Sequence, residues 1–314
     1  MREFIGIEIG GTKQQAASFD ENGNMLAIFS ERVPLVRGAE DILDWMKVVV
    51  PKLKSVKTAA MGIGFGGIVD TSEGLSACSV QVPGWERFNI KKWFEETFSL
   101  PAVVVNDTVC GGYAEVLFGT GKDVDRFFYT NIGTGCGGAM FIGGKNYDGV
   151  NTGGAYHGQI YIPAWDEPAR VVRMESICCG PSIEKRLRTP GYVPQDSVLY
   201  AMCGGNVAEL TCRHWGEAAK QADAFALADM DRWAHSYAIA LSTMITVMAP
   251  RKVSIGGGVS NVGQVLMDAI RKHTDELVFV SMKDRYEIVQ CKSMDMAVLI
   301  GAAMYARDGF QVIT

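Results

Sequence analysis

Residues 4–33 read FIGIEIGGTKQQAASFDENGNMLAIFSERV, and their periodicity decides the fold. FIGIEI is an apolar run of strand length, GGT a tight turn, QQAASFD a second strand, ENGN a hairpin turn and MLAIFSERV a third strand. The expectation is a β-meander that opens on a glycine turn. The second half restarts in the same order: RFFYTNI (126–132) as a strand, GTGCGG as a glycine turn, AMFIGG (139–144) as a second strand, and the stretch around 155–162 as a third. Two such meanders suggest an internal duplication; two unrelated meanders are the alternative.

Helical and extended patterns alternate between and after these meanders. From Glu40 to Val56, Ile42, Leu43, Met46, Val49 and Val50 recur at helical spacing, ahead of the buried-strand run AAMGIGF (59–65). NIKKWFEETF (89–98) reads as a helix before the strand in PAVVVND (101–107), and CGGYAEVLFG (110–119) as another. The C-terminal half carries a helical pattern from Ala222 to Val247, a strand KVSIGGGVS (252–260) and a last helix from Met296 to Ala306. The fold class is α/β.

A length of 314 residues, 48% hydrophobic and 21% charged, suits one large or two medium domains with a sizeable core. The formal net charge of -5 leaves no electrostatic footprint for a nucleic-acid backbone or an anionic membrane surface. Neither is an expected partner. MREF leads straight into IGIEIG without a signal-peptide pattern, and no apolar run has the length of a membrane span, so a cytoplasmic location is expected. The eight cysteines show no C-x-x-C spacing, and Cys178 and Cys179 are adjacent, so they read as reduced, mostly buried thiols.

Three glycine turns follow apolar strands: IEIGGTK (7–13), NIGTGCGG (131–138) and SIGGGVSN (254–261). A turn without side chains lets backbone N–H groups approach phosphate oxygens, and Thr12 and Lys13 add a hydroxyl and a charge. Any one of them could equally be a plain hairpin. VVVNDT (103–108) delivers Asn106 and Asp107 to the C-terminal end of a buried strand, where open α/β sheets place their sites. Asp107 as the cap of the next helix is the alternative.

Taken together these segments resemble the ROK family of bacterial sugar kinases, within the actin, hexokinase and Hsp70 superfamily, over nearly the whole chain. IGIEIGGTK resembles the first phosphate motif, with Glu8 where aspartate is usual; GIGFGGIVD (62–70) and VPGWERF (82–88) resemble further family segments. VVVNDTVCGGYAE (103–115) resembles the catalytic-aspartate segment, NIGTGCGGAMFIGGKNYDG (131–149) the second phosphate motif and VSIGGGVS (253–260) the adenosine motif. The resemblance implies two RNase H-like domains with an ATP and sugar cleft between them. From topology we expect a first domain of residues 1–117 plus 296–314 and a second of 118–295.

The resemblance also assigns roles. Asp107 is the expected base, and Gly10, Gly11, Thr12, Lys13, Gly133, Thr134, Gly135, Gly256, Gly257 and Gly258 are the expected ATP contacts. Glu8 and Asp107 would hold Mg²⁺, directly or through water; Gly67, Asn106 and Asp107 belong to the sugar site. In NTGGAYHGQIYIPA (151–164), anchoring on Asn151 and Pro163 puts Tyr156 where the family has a sugar-binding glutamate and Gln159 where it has a histidine. Glu175, in RMESICCGPS (173–182), matches the second sugar-binding glutamate; a helix-start carboxylate is its plain alternative. The family histidine also ligates a structural zinc completed by a Cys-x-Cys-Gly-x-x-Gly-Cys segment. AWDEPARVVRMESICCGPS (164–182) lacks that spacing, with Arg173 in place of its last cysteine, so no zinc is expected.

These features imply an ATP- and Mg²⁺-dependent kinase acting on a hydroxyl, a primary one, of a sugar whose pattern differs from glucose. A homodimer is the expected assembly. A cyclitol or other polyol kinase and a catalytically silent sugar sensor are the alternatives. A ROK repressor is not expected, because the first phosphate motif begins at residue 5 and leaves no room for a helix-turn-helix.

Overall fold

The computed structural model of the protein describes residues 2–11, 13–34, 36–79 and 82–313, the side chains of Cys78 and Met294 excepted. Thr12, an expected phosphate contact, lies outside the described residues. Strands β1 (Glu3–Ile9), β2 (Gln14–Asp20) and β3 (Met25–Glu31) form the antiparallel meander anticipated from the apolar runs and their turns. Helix α1 (Ala39–Leu53) ends before the expected Val56, which is fully exposed, so the apolar stripe stops at Leu53. Strand β4 (Thr58–Phe65) pairs parallel to β1, followed by the hairpin β5 (Ile68–Asp70) and β6 (Leu75–Cys78). Helix α2 (Ile90–Phe98) and strand β7 (Ala102–Asn106), parallel to β4, complete a sheet of order β3-β2-β1-β4-β7.

The two faces of this sheet are sorted by the period of two. Ile5, Ile7 and Ile9 of β1 point into one cluster with Ile42, Met46 and Val50 of α1 and Ile90 and Phe94 of α2. Phe4 points the other way, and Glu8 shares its parity. That second face carries α3 (Asp107–Phe118) and a late helix described below.

Strand β8 (Arg126–Asn131) is followed by β9 (Gly138–Ile142) and β10 (Lys145–Tyr147), which pair antiparallel to each other. The third strand of the second meander is therefore β10, not the stretch around 155–162. There Ala155 takes φ +59°, and a 3₁₀ turn at His157–Gln159 breaks the extended run. Only then come β11 (Tyr161–Pro163) and its antiparallel partner β12 (Val171–Arg173).

Helices α4 (Glu175–Cys178), α5 (Gly180–Leu187), α6 (Val198–Met202), α7 (Cys212–Lys220) and α8 (Ala224–Met248) follow. Strand β13 (Lys252–Gly256) stops short of the expected Ser260 because Gly257 turns the chain at φ +83°. Helix α9 (Gln264–Leu277) leads to β14 (Glu287–Gln290), parallel to β13. Helix α10 (Ala297–Asp308) and the short β15 (Val312–Ile313), parallel to β10, close the chain.

The chain divides into two compact units: Met1–Tyr129, Ala139–Ala155 and Lys292–Thr314 in the first, Thr130–Gly138 and Tyr156–Cys291 in the second. In the first unit α10 lies directly on the second face of the sheet. A Cβ on Gly62 would sit 1.8 Å from the carbonyl oxygen of Ala302, and one on Gly301 would sit 1.7 Å from that of Cys110 in α3. Backbone-to-backbone packing this close leaves room for hydrogen alone. Buried Glu115, near the end of α3, accepts hydrogen bonds from Thr120 N (2.8 Å), Lys292 N (3.0 Å) and Ser293 N (2.6 Å), and so ties α3 to the entry of α10. Among the described residues no helix is long and apolar enough to cross a membrane.

Candidate active site

The β7–α3 junction separates the two residues that the sequence left open. Asn106 is the cap: its Oδ1 accepts from Thr108 N (3.0 Å) and Val109 N (3.4 Å), while its Nδ2 donates to Gly67 O (3.0 Å). Asp107 follows as the first residue of α3. Its Oδ1 accepts from Thr108 N at 2.7 Å, and Oδ2 points past Gly66, where an added Cβ would lie 3.4 Å away. Burial pushes the Asp107 carboxyl up to about 6, against the hydrogen bonds from Thr108 that pull it down.

Glu8 stands nearby in the same unit, near the end of β1. Its Oε2 is buried and has no hydrogen-bond partner among the described residues. Burial raises its pKa to about 7; Lys13 opposes the shift, and the charges of Asp107 and Asp295 add to it. An orphaned carboxylate oxygen in a field of three acidic groups fits a divalent cation. Among the described residues no cluster of three or more His, Cys, Asp or Glu side chains is arranged to hold a metal directly. The donor set therefore fits a Mg²⁺ that keeps much of its water and leans on phosphate oxygens, rather than one in a protein cage. The first glycine turn is braced by Gln14, whose Nε2 donates to Gly10 O at 2.7 Å.

In the second unit, the second and third glycine turns are laced together. Ile132 N donates to Gly256 O (2.9 Å), Val259 N to Ile132 O (3.0 Å), and Gly180 N, at the start of α5, to Gly133 O (2.8 Å). Gly133 and Gly258 have open space where a Cβ would stand, and Thr134 is exposed. These are bare backbone surfaces suited to a nucleotide. Gly257 is different: a Cβ there would lie 2.5 Å from Ile132 O, at a positive φ, so a substitution moves the backbone whatever binds. Gly133→Val is the clean probe. It should weaken ATP binding by about tenfold or more, the scale of one charge-assisted hydrogen bond, with an unchanged melting temperature. Normal affinity in calorimetric titration would place the phosphates elsewhere.

The stretch that sequence reading assigned to the substrate is held in the same unit. Gln159 Nε2 donates to Glu175 Oε1 (2.8 Å), and Cys136 N donates to Glu175 Oε2 (3.2 Å). Gln159, Glu175 and the second glycine turn are thus brought together. Gly158 packs so closely that a Cβ would lie 2.0 Å from Cys136 O. Half-buried Tyr156 opens the 3₁₀ turn, and Arg173 sits exposed on β12 opposite Tyr161. Two residues escaped the sequence reading. Asp295 could have been found as a carboxylate just ahead of the last helix. Buried His157 could not, since a lone histidine carries no spacing signal.

A meander opened by a glycine turn and continued by parallel strands with helices on both faces is the architecture of the actin-like ATPase fold. A family model described as the ROK family matches residues 4–309, and the chain belongs to that family. A glucokinase of Thermotoga maritima is 26% identical over 311 residues, covering 98% of both chains. An N-acetyl-D-glucosamine kinase of Aliivibrio fischeri is 25% identical over 316 residues, covering 96% of this chain and 98% of its own. Among solved structures, a ROK family glucokinase from Streptomyces griseus in complex with glucose and AMPPNP superimposes with a TM-score of 0.84 at 28% identity, covering 98% of this chain and all of that one.

Proposed function

We propose that the chain is an ATP-dependent sugar kinase whose substrate pattern differs from glucose. The observation that carries the reading is Asp107: a buried carboxyl at the junction of β7 and α3, near a second carboxyl whose Oε2 has no hydrogen-bond partner among the described residues. Phosphoryl transfer is mainly positioning and charge neutralisation. Asp107 takes the proton of the attacking hydroxyl, a primary one. The glycine turns at 10–13, 133–135 and 256–258 receive ATP on backbone N–H groups, and Lys13 adds positive charge. Glu8 and Asp107 would hold a Mg²⁺, directly or through water, which would supply charge neutralisation for the phosphates.

Specificity is assigned to Tyr156, Gln159 and Glu175, with Gly67 and Asn106 completing the substrate contacts. The amide of Gln159 already donates to Glu175 Oε1, which leaves that carboxylate fewer free lone pairs for a sugar diol. A panel of hexoses, amino sugars, deoxy sugars and cyclitols, read by ADP release, tests the class and the pocket together. No ADP with any member would leave the silent sensor standing. Tyr156→Phe is expected to cut kcat/KM for the preferred substrate by the equivalent of roughly 1–3 kcal/mol, with little change in melting temperature. Glucose as the best substrate together with a silent Tyr156→Phe would overturn the altered pocket.

Activity is expected to need Mg²⁺, and the purified protein to hold no stoichiometric zinc, because 164–182 lacks the family's ligand spacing. Elemental analysis decides it: one zinc per chain would mean that the alignment of 156–180 is wrong. A homodimer without nucleic-acid or membrane partners remains part of the proposal.

A further inference from the structure

His157 lies in the substrate segment with no exposed surface. Its Nδ1 is 3.2 Å from Thr130 Oγ1, and its ring stands edge-on to Tyr237 with centroids 4.9 Å apart. Thr130 Oγ1 also meets Tyr237 Oη at 3.2 Å and Gly137 O at 2.7 Å. A hydroxyl has one proton and two lone pairs. The carbonyl of Gly137 can only accept, so Thr130 spends its proton there. Both remaining neighbours must then donate to Oγ1, which makes His157 the Nδ1–H tautomer and Tyr237 a donor. Burial holds the imidazole pKa down near 3, so the ring stays neutral throughout the working range.

This set of three hydrogen bonds ends on the return limb of the second glycine turn. The same turn is gripped from the other side, where Gly137 N donates to Asn131 Oδ1 (2.7 Å) and Cys136 N to Glu175 (3.2 Å). Tyr237 stacks on Trp233, and Trp233 Nε1 donates to Cys178 O (3.2 Å) at the end of the helix that begins with Glu175. His157 therefore sits where the Tyr156–Gln159 turn, the 131–138 turn and the Glu175 helix are braced against one buried point.

We propose that His157 is a positioning residue: through Thr130 and Tyr237 it locks the 131–138 turn and the 156–159 turn into one rigid mount. The proposal rests on the kinase reading for its catalytic consequence, but the mount itself is measurable without turnover.

The test compares Thr130→Val, His157→Leu, their double mutant and the conservative Thr130→Ser. Amide hydrogen exchange should quicken at least about tenfold in both 131–138 and 156–160 for either single mutant, while α9 stays protected. In steady state, KM for ATP and KM for the preferred sugar should both rise by about tenfold, with the double mutant no worse than the singles, the signature of one shared unit. Thr130→Ser should behave as wild type. If exchange in 131–138 is unchanged in both single mutants, or KM values stay put while only the melting temperature drops, His157 merely fills space and the proposal falls. If His157→Leu fails to fold, near-isosteric Thr130→Val still decides. A wild-type protein that binds and turns over nothing overturns the kinase reading alone; the exchange data still judge the mount.

Discussion

Asp107→Asn is expected to lower turnover by roughly 10² or more while leaving ATP and sugar binding near wild type, the order seen when a general base is removed. The amide is isosteric, and its oxygen can keep the hydrogen bond from Thr108 N, so the α3 cap and the local backbone should not move. Two pH measurements make the expectation sharper. In the wild type kcat/KM should fall below about pH 6, where burial places the Asp107 titration, because a protonated carboxyl cannot accept the substrate proton. The mutant should lose that limb.

The second measurement is stability without metal or nucleotide. The folded-state pKa lies above the ordinary carboxylate value of 3.8, so the folded form binds the Asp107 proton more tightly than the unfolded form. Its contribution is fully present below pH 3.8 and is lost as pH rises through about 6. Asparagine never ionises, so the mutant should be more stable than wild type at pH 8, by on the order of 3 kcal/mol, and not at pH 4. Unchanged turnover would sink the assignment of the base.

Gly62→Val should have the largest effect on folding. The new Cβ would stand 1.8 Å from the carbonyl oxygen of Ala302, and that oxygen belongs to the α10 backbone, which cannot swing aside as a side chain would. Either α10 lifts off the sheet or β4 distorts, and both uncover the cluster of Phe4, Leu299, Ala303 and Met304. A loss of roughly 4 kcal/mol or more is expected, enough to leave most of the chain unfolded or insoluble. Gly133→Val is the matched control, because the same substitution there enters open space. A Gly62→Val protein that melts within a few degrees of wild type would refute this packing.

Much of the first unit was legible in the sequence. β1, β2 and β3 fell where the apolar runs and the intervening glycine and hairpin turns put them, because strand length and turn chemistry are local properties. The second meander was half legible. Its first two strands matched, but the third moved from 155–162 to Lys145–Tyr147, because the positive φ of Ala155 and the 3₁₀ turn at His157–Gln159 break the extended run there. The glycine turns were visible as glycines. That Gly133 is open to a ligand while Gly257 is wedged against Ile132 was not.

What the sequence determined by itself is therefore what neighbours in the chain dictate: strands, turns, the amphipathic face of α1, and the pattern of motifs that marks the family. Only the tertiary structure decided between the two residues at the end of β7. Asn106 becomes the cap because its amide also reaches Gly67 O, thirty-nine positions earlier, and that contact exists only once β4 and β7 are paired. Asp107 then becomes the first residue of the helix, and its raised pKa comes from burial. Likewise Gly62 and Gly301 read as ordinary glycines until α10 and α3 close over the sheet. Burial and close approach are properties of the folded assembly, and no window of sequence contains them.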